Sequence, residues 1–298
     1  MLRLSLLGNV LGQASKMPQK QIDTMHVREQ AEAPQGDHLR DLRDAAPAHE
    51  VRYAIYFAPQ PDSAWWHFGS NWLGRDAVTN LPVAHPAIAP YDAATLARIT
   101  ATPRQYGFHA TLKAPFRLAP AYTARDVYLQ AANLASSCMA AQLPPLMLRT
   151  IAASMNTSVD GFVALTCAPE PTGAGAAHAI AAQCVSCFDN LRARPNTTEL
   201  ARRHATGLTP HQAHLLAAWG YPYVFDEFRF HLTLTNPLPR EEQAQVISAL
   251  SPWIDALNAQ PLQLDAISVF VQATADAPFV VARRYGFDGS LDIYRDDF

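Results

Sequence analysis

Two octapeptides far apart in this chain share one frame. Phe108-His109-Ala110-Thr111-Leu112-Lys113-Ala114-Pro115 and Phe230-His231-Leu232-Thr233-Leu234-Thr235-Asn236-Pro237 both read F-H-x-T-L-x-x-P. In an extended strand residues i and i+2 share a face, so each copy sets an imidazole beside a threonine hydroxyl and turns its Phe and Leu the other way. One side of each strand is built for a core, and the other carries polarity that core packing does not explain. A single copy is an ordinary half-exposed strand. The repetition of the polar couple in the same apolar frame argues for two strands that line one cleft.

The elements around these strands define the fold class. Residues 51–57, 106–116, 145–152, 161–167, 228–234, 262–272 and 279–287 are rich in β-branched and aromatic residues and are bounded by turn formers, which predicts strands. Helices are predicted over 92–99, 123–142, 175–192, 210–219 and 239–257. Asp92 and Thr123 serve as N-caps, and Thr209-Pro210 with Gly220 marks the two ends of the fourth helix. Strands and helices mix without strict alternation, which favours an α+β fold with antiparallel sheets over a doubly wound parallel one. Residues 1–50 show no sustained apolar period and are expected to be a tail, with a mis-started or non-functional leader over 1–11. Residues 51–298 are expected to form a single domain of two lobes.

Composition excludes several classes. At 298 residues, 49% hydrophobic and 16% charged, the chain is neither disordered nor fibrous. Lys plus Arg total 23 against 26 Asp plus Glu, so a net charge of −3 argues against long nucleic acid or anionic lipid as a partner. The expected partner is a small phosphorylated substrate, with no obligate protein partner inferred. Four cysteines, Cys138, Cys167, Cys184 and Cys187, are too few and too irregular for a secreted disulfide framework, and a cytoplasmic protein with reduced thiols is expected. The C-x-x-C spacing of Cys184 and Cys187 lies in an Ala-rich helical stretch with no second pair, so buried structural thiols are expected there rather than a metal or redox centre. No apolar run is long enough for a membrane span.

The polar faces suit a phosphodiester. Imidazole can act as base or acid near neutrality, so two histidines can take one proton and return another. Threonine hydroxyls can donate to non-bridging oxygens. Stepping by two from the histidines adds Lys113 and Arg229 as cations for phosphate. Tyr106 and Tyr223 are candidates to stack on a sugar or base. The predicted catalytic set is His109, Thr111, His231 and Thr233, with Lys113, Arg229, Tyr106 and Tyr223 binding substrate. Neither a metal nor a cofactor is called for.

The duplicated His-x-Thr strands resemble those of the two-histidine (2H) phosphoesterase superfamily. Longer stretches resemble one branch of it, domain-of-unknown-function proteins associated with phosphonate-utilisation genes. These are Arg52-Tyr53-Ala54-Ile55-Tyr56-Phe57, Trp72-Leu73-Gly74-Arg75-Asp76, Tyr106 to Phe116, Trp219-Gly220-Tyr221-Pro222-Tyr223-Val224 and Phe228 to Thr235. The resemblance implies a bilobal α+β fold, two antiparallel sheets flanked by helices around a central cleft, with His109, Thr111, His231 and Thr233 as functional residues. It also implies a role in phosphonate metabolism. The expected activity is that of a metal-independent phosphoric diester hydrolase, a phosphodiesterase opening a small cyclic phosphate such as a ribose cyclic phosphate. The alternatives are a 2′,3′-cyclic or 2′-5′ RNA-end enzyme and a non-catalytic nucleotide or phosphate sensor.

Other motifs are weaker. Gly69 to Asp76 has the glycine spacing of a phosphate loop, but Arg75 and Asp76 stand where Lys and Ser/Thr belong, and a structural Arg75–Asp76 pair is expected instead. His211 and His214 at i, i+3 read as a solvated helix face. Arg202, Arg203 and His204 form a small basic cluster, with a phosphate contact as the alternative to a surface role. Of Arg283 and Arg284, neighbours on one strand, at most one can point into the cleft.

Overall fold

The computed structural model describes residues 51–152, 160–167, 173–194, 207–296 and 298. The predicted tail, most of the stretch between the strands predicted over 145–152 and 161–167, and the Arg202-Arg203-His204 cluster lie outside them. The chain is α+β. Among the described residues are seven α-helices and a nine-stranded antiparallel sheet, with a separate two-stranded ribbon.

The aromatic, β-branched run Arg52–Phe57 forms β1 at the middle of the sheet, where it pairs with β2, Ala110–Phe116, on one side and β9, Ala266–Gln272, on the other. Beyond β9 lie β10, Val280–Gly286, and β11, Leu291–Ile293. On the far side of β2 stands β6, His231–Thr233, followed by β5, Asp160–Cys167, and β4, Leu146–Ala152; β7, Leu238–Pro239, pairs with the start of β5. The ribbon joins β3, Ala141–Gln142, to β8, Gln263–Leu264.

Helices follow their capping chemistry. Ser63 accepts from the Trp66 N–H to start α1, Ala64–Leu73, and Gly74 in the left-handed region ends it. Asp92 caps α2, Ala93–Ile99, and α3, Ala101–Tyr106, follows at once. Thr123 and Asp126 form a capping box for α4, Ala124–Ala135. After α5, Gly173–Phe188, a second box of Thr209 and Gln212 opens α6, Pro210–Trp219; α7 is Arg240–Leu257.

One face of the sheet, carrying Ile55, Phe57, Phe108, Leu112, Phe230, Leu232 and Leu234, is buried with residues of α1, α4, α5 and α7 in the main core. The other has a smaller apolar cluster of Ala54, Tyr56, Phe270, Phe279 and Val281.

Three expectations need correction. The strand predicted from Tyr106 begins only at Ala110, because Ala101–Tyr106 is helical and Gly107, at φ +80°, breaks the chain direction before His109. The strand predicted over 228–234 shortens to His231–Thr233, since Phe225–Glu227 makes a 3-10 turn just ahead of it. Finally, the two motifs do not lie on separate sheets facing across a cleft. Ala110 pairs with Leu232, so β2 and β6 are neighbours in one continuous sheet.

Candidate functional site

The Ala110–Leu232 pairing fixes the site. Carried one residue either way, this antiparallel register sets His109 opposite Thr233 and Thr111 opposite His231. Both His-x-Thr couples therefore share the sheet face away from the main core, as a square of two imidazoles and two hydroxyls. Next to it opens a groove of about 280 Å³ lined in part by Thr111, Ile151, Phe162, Tyr221, Tyr223, Glu227, Arg229 and His231.

Each imidazole is oriented by its own strand. His109 Nδ1 lies 2.8 Å from the Gly107 carbonyl, and His231 Nδ1 lies 2.8 Å from that of Arg229. A carbonyl only accepts, so both Nδ1 atoms donate, and in the neutral ring Nε2 is left as the acceptor. His109 Nε2 stands 3.2 Å from Thr111 Oγ1, whose hydroxyl can donate to it. The Tyr56 ring stacks on His109 with centroids 3.8 Å apart and planes at 23°. Phe162 sits against His231 at 6.0 Å.

The electrostatics favour neutral rings. Burial pushes the His109 pKa down to about 4; the Gly107 carbonyl opposes this, while nearby His231 and the Arg75 guanidinium add to it. Burial likewise lowers His231 against the pull of the Arg229 carbonyl. Among the described residues no cluster of three His, Cys, Asp or Glu side chains is placed to hold a metal ion.

The remaining expected site residues divide. Arg229 is exposed on the groove wall, and Tyr223, also exposed, lies edge-on to Tyr221 with centroids 5.5 Å apart. Tyr106 stacks on Phe279 at 5.3 Å and flanks His109 at 6.1 Å. Lys113 is not on the polar face. The register slips between the Tyr56–Thr111 and Ile55–Lys113 pairs, so the two-residue alternation breaks and Lys113 turns toward α5. Its ammonium, 3% exposed, donates to the Val185 carbonyl at 3.1 Å and to Asp189 at 3.0 Å.

Neither strand arginine enters the groove. Arg283 lies over the Tyr128 ring at 3.9 Å and bridges Asp296, while Arg284 is held by Asp265 at 2.7 Å. His211 pairs with Asp226 at 2.8 Å on an exposed surface. The phosphate-loop spacing is spent on the end of α1 and its left-handed Gly74 cap. Arg75 and Asp76 are structural, though not by pairing with each other. Arg75 donates to backbone carbonyls and to Asn80, and Asp76 accepts from Trp66 Nε1 and from the Val78 and Thr79 N–H groups.

Sequence reasoning missed Tyr56, Gly107, Phe162, Tyr221 and Glu227. Alternation along β1 is the one signal that bears on Tyr56, since it separates Ala54 and Tyr56 from Ile55 and Phe57. Glu227, which accepts from Gln212 Nε2 at 3.1 Å, sits in a turn with no periodicity to read.

The chain is similar to two curated proteins named "Ribose 1,5-bisphosphate phosphokinase PhnN". That of Janthinobacterium sp. (strain Marseille) is 36% identical over 267 residues, covering 87% of this chain and 56% of the relative. That of Laribacter hongkongensis (strain HLHK9) is 34% identical over 233 residues, covering 78% and 51%. The chain thus spans about half the length of these relatives. Their names are those of a kinase, which passes a phosphoryl group to an acceptor molecule and not to water. They overturn the expected hydrolase in its cyclic phosphodiesterase and RNA-end versions, and with it the alternative of a non-catalytic sensor. The resemblance to phosphonate-associated proteins agrees with these PhnN-named relatives and with the family match. A model of that family covers residues 111–280, more than half the chain, and the chain belongs to the family described as "Protein of unknown function (DUF1045)".

Proposed function

We propose that this chain binds a phosphorylated ribose at the paired His-x-Thr strands and serves phosphoryl transfer involving that sugar, the chemistry in its relatives' name. The observation that carries this reading is the Ala110–Leu232 pairing, which gathers four hydrogen-bonding side chains on one face beside the groove. With Nδ1–H given to a backbone carbonyl, each Nε2 is an acceptor, that of His109 beside Thr111 Oγ1, and is suited to the hydrogen of a sugar hydroxyl. A hydroxyl so held loses its proton to the imidazole as it attacks the terminal phosphorus of a phosphoanhydride donor, whose bridging P–O bond breaks and whose remainder leaves as the shortened phosphate anion; the imidazole is the general base of that transfer. The threonine hydroxyls donate to phosphate oxygens, and Arg229 supplies a planar, always-charged partner for a phosphate at the groove wall. The phosphoryl donor has no cradle in the Gly69–Asp76 stretch, which is folded as a helix end.

The shared face also supports the finer kinship, that of a 2H phosphoesterase-like fold in which two His-x-Thr strands serve one site. Kinship in fold carries no reaction with it.

Calorimetric titration with ribose 1,5-bisphosphate, beside ribose 5-phosphate and inorganic phosphate, tests the reading. The bisphosphate is expected to bind tightest, and His109→Ala or His231→Ala to weaken it about tenfold or more, which corresponds to about 1.4 kcal/mol. No heat with any of the three, or wild-type affinity in both variants, overturns it.

A further inference from the structure

Arg75 is 7% exposed, and among the described residues its guanidinium meets no carboxylate at bonding distance. Its Nε donates to the Arg104 carbonyl at 2.8 Å, Nη2 to those of Phe279 at 2.9 Å and Gln105 at 3.3 Å, and Nη1 to Asn80 Oδ1 at 3.1 Å. The Gln105 carbonyl in turn accepts from the Phe279 N–H at 2.7 Å. In the opposite sense Arg104 Nε donates to the Leu73 carbonyl at 2.7 Å, two residues before Arg75. The two arginines clasp the two segments together, Arg75 on the backbone of Arg104 and Gln105 in α3 and Arg104 on that of Leu73. Two positions past Gln105 is Gly107, whose carbonyl takes the Nδ1–H of His109. Gly107 has no slack: a Cβ there falls 2.7 Å from Ala77 Cβ and 3.6 Å from Arg75 Nη2.

We propose that Arg75 is a positioning residue for His109: by fastening the carbonyls at 104, 105 and 279 it aims the Gly107 carbonyl at Nδ1 and so keeps Nε2 as the ring's acceptor. This rests on the reading of His109 as a site residue. A buried guanidinium spent on peptide carbonyls is a costly way to tie a loop unless the geometry it sets matters. What it sets is the tautomer of one imidazole. Among the described residues His231 has no such brace; its Nδ1 partner is the carbonyl of Arg229, an exposed residue on the approach to β6.

Long-range proton–nitrogen NMR on the ligand-free full chain reads the two tautomers separately. In the wild type both histidines are expected in the Nδ1–H form. In Arg75→Ala, His109 is expected to populate the Nε2–H form while His231 keeps its own, and added guanidinium ion to restore His109. Asn80→Gly keeps a residue at ease with the φ of +60° at that position and removes only the Nη1 acceptor. It is expected to give a smaller shift of the same kind, and decides the matter if Arg75→Ala does not fold. A folded Arg75→Ala with His109 unchanged, or an Asn80→Gly spectrum identical to wild type where that variant decides, overturns the proposal. Because no ligand is present, that failure is distinct from failure of the ribose phosphate titration.

Discussion

Acid should destabilise this protein through His109 well before its carboxylates titrate. In the folded chain the imidazole is held at about 4, against 6.5 for an ordinary histidine, chiefly by burial on the sheet face under Tyr56. The unfolded chain therefore binds the proton more readily, and stability must fall as pH drops from 6.5 toward 4. The stabilisation is fully present above 6.5. At about 1.4 kcal/mol per pH unit the whole window amounts to roughly 3 kcal/mol, of which roughly 2.5 is gone by pH 4.5. His231 is shifted in the same direction, so the wild-type slope is a sum, and one variant must isolate the larger part. His109→Asn keeps a donor for the Gly107 carbonyl and removes the titration. Urea unfolding of both proteins at pH 7.5 and 4.5 reads the difference. The wild type should lose roughly 2–3 kcal/mol more than the variant between the two conditions. Equal losses would mean that His109 is solvated enough to charge freely, and the neutral-acceptor argument would fall with it.

Three further outcomes follow from particular contacts. Asp189 binds both Lys113 and Arg192, so Asp189→Ala leaves a buried ammonium unpaired and should cost about 3 kcal/mol, whereas Lys113→Met leaves Asp189 on Arg192 and should cost less. Thermal melts rank the two, and Lys113→Met should bind ribose 1,5-bisphosphate as the wild type does. Gly69→Ala places a methyl 2.0 Å from Phe108 Cγ in the ring packed behind His109, an overpacking of about 1–3 kcal/mol measurable by urea unfolding. Burial raises the thiol pKa of Cys138, pushes that of Cys167 to about 11 and raises that of Cys184 well above its ordinary value. Alkylation of these three at pH 8 should therefore be slow until the chain is unfolded.

Period-2 alternation foretold which residues of the two motifs share a face, because that depends only on the pleat. It could not foretell that β2 and β6 would pair with each other, since register between distant strands is a tertiary choice with no local signature. The same limit explains Lys113. Stepping by two holds until a bulge, and the slip opposite Ile55 comes from how β1 and β2 fit, with no turn-forming residue to announce it. Capping residues were legible at α2, α4 and α6, where Asp or Thr stands at a helix start. The helix Ala64–Leu73 was not foreseen: its Trp, Phe, Gly and Asn content is poor in intrinsic propensity, and Trp65 and Trp72 are buried in the core that stabilises it.

Placing both motifs on adjacent strands changes what each element must do. Two lobes closing on a substrate can adjust their separation, but paired strands hold their side chains at a spacing set by the backbone ladder, and a displaced imidazole cannot be recovered by hinge motion. Precision must then come from behind the strands. Close fits stand there. Gly69 admits the Phe108 ring, Trp72 Nε1 donates to the Leu234 carbonyl at 2.8 Å, and Thr235 Oγ1, two residues past β6, takes the Val163 N–H at 2.9 Å. Each contact fixes a residue within two positions of a His-x-Thr couple, not one of the couple itself. Phe108 and Leu234, two members of the apolar frame that the octapeptides share, are thus held from behind, and the polar square in front of them can stay small because that frame is packed.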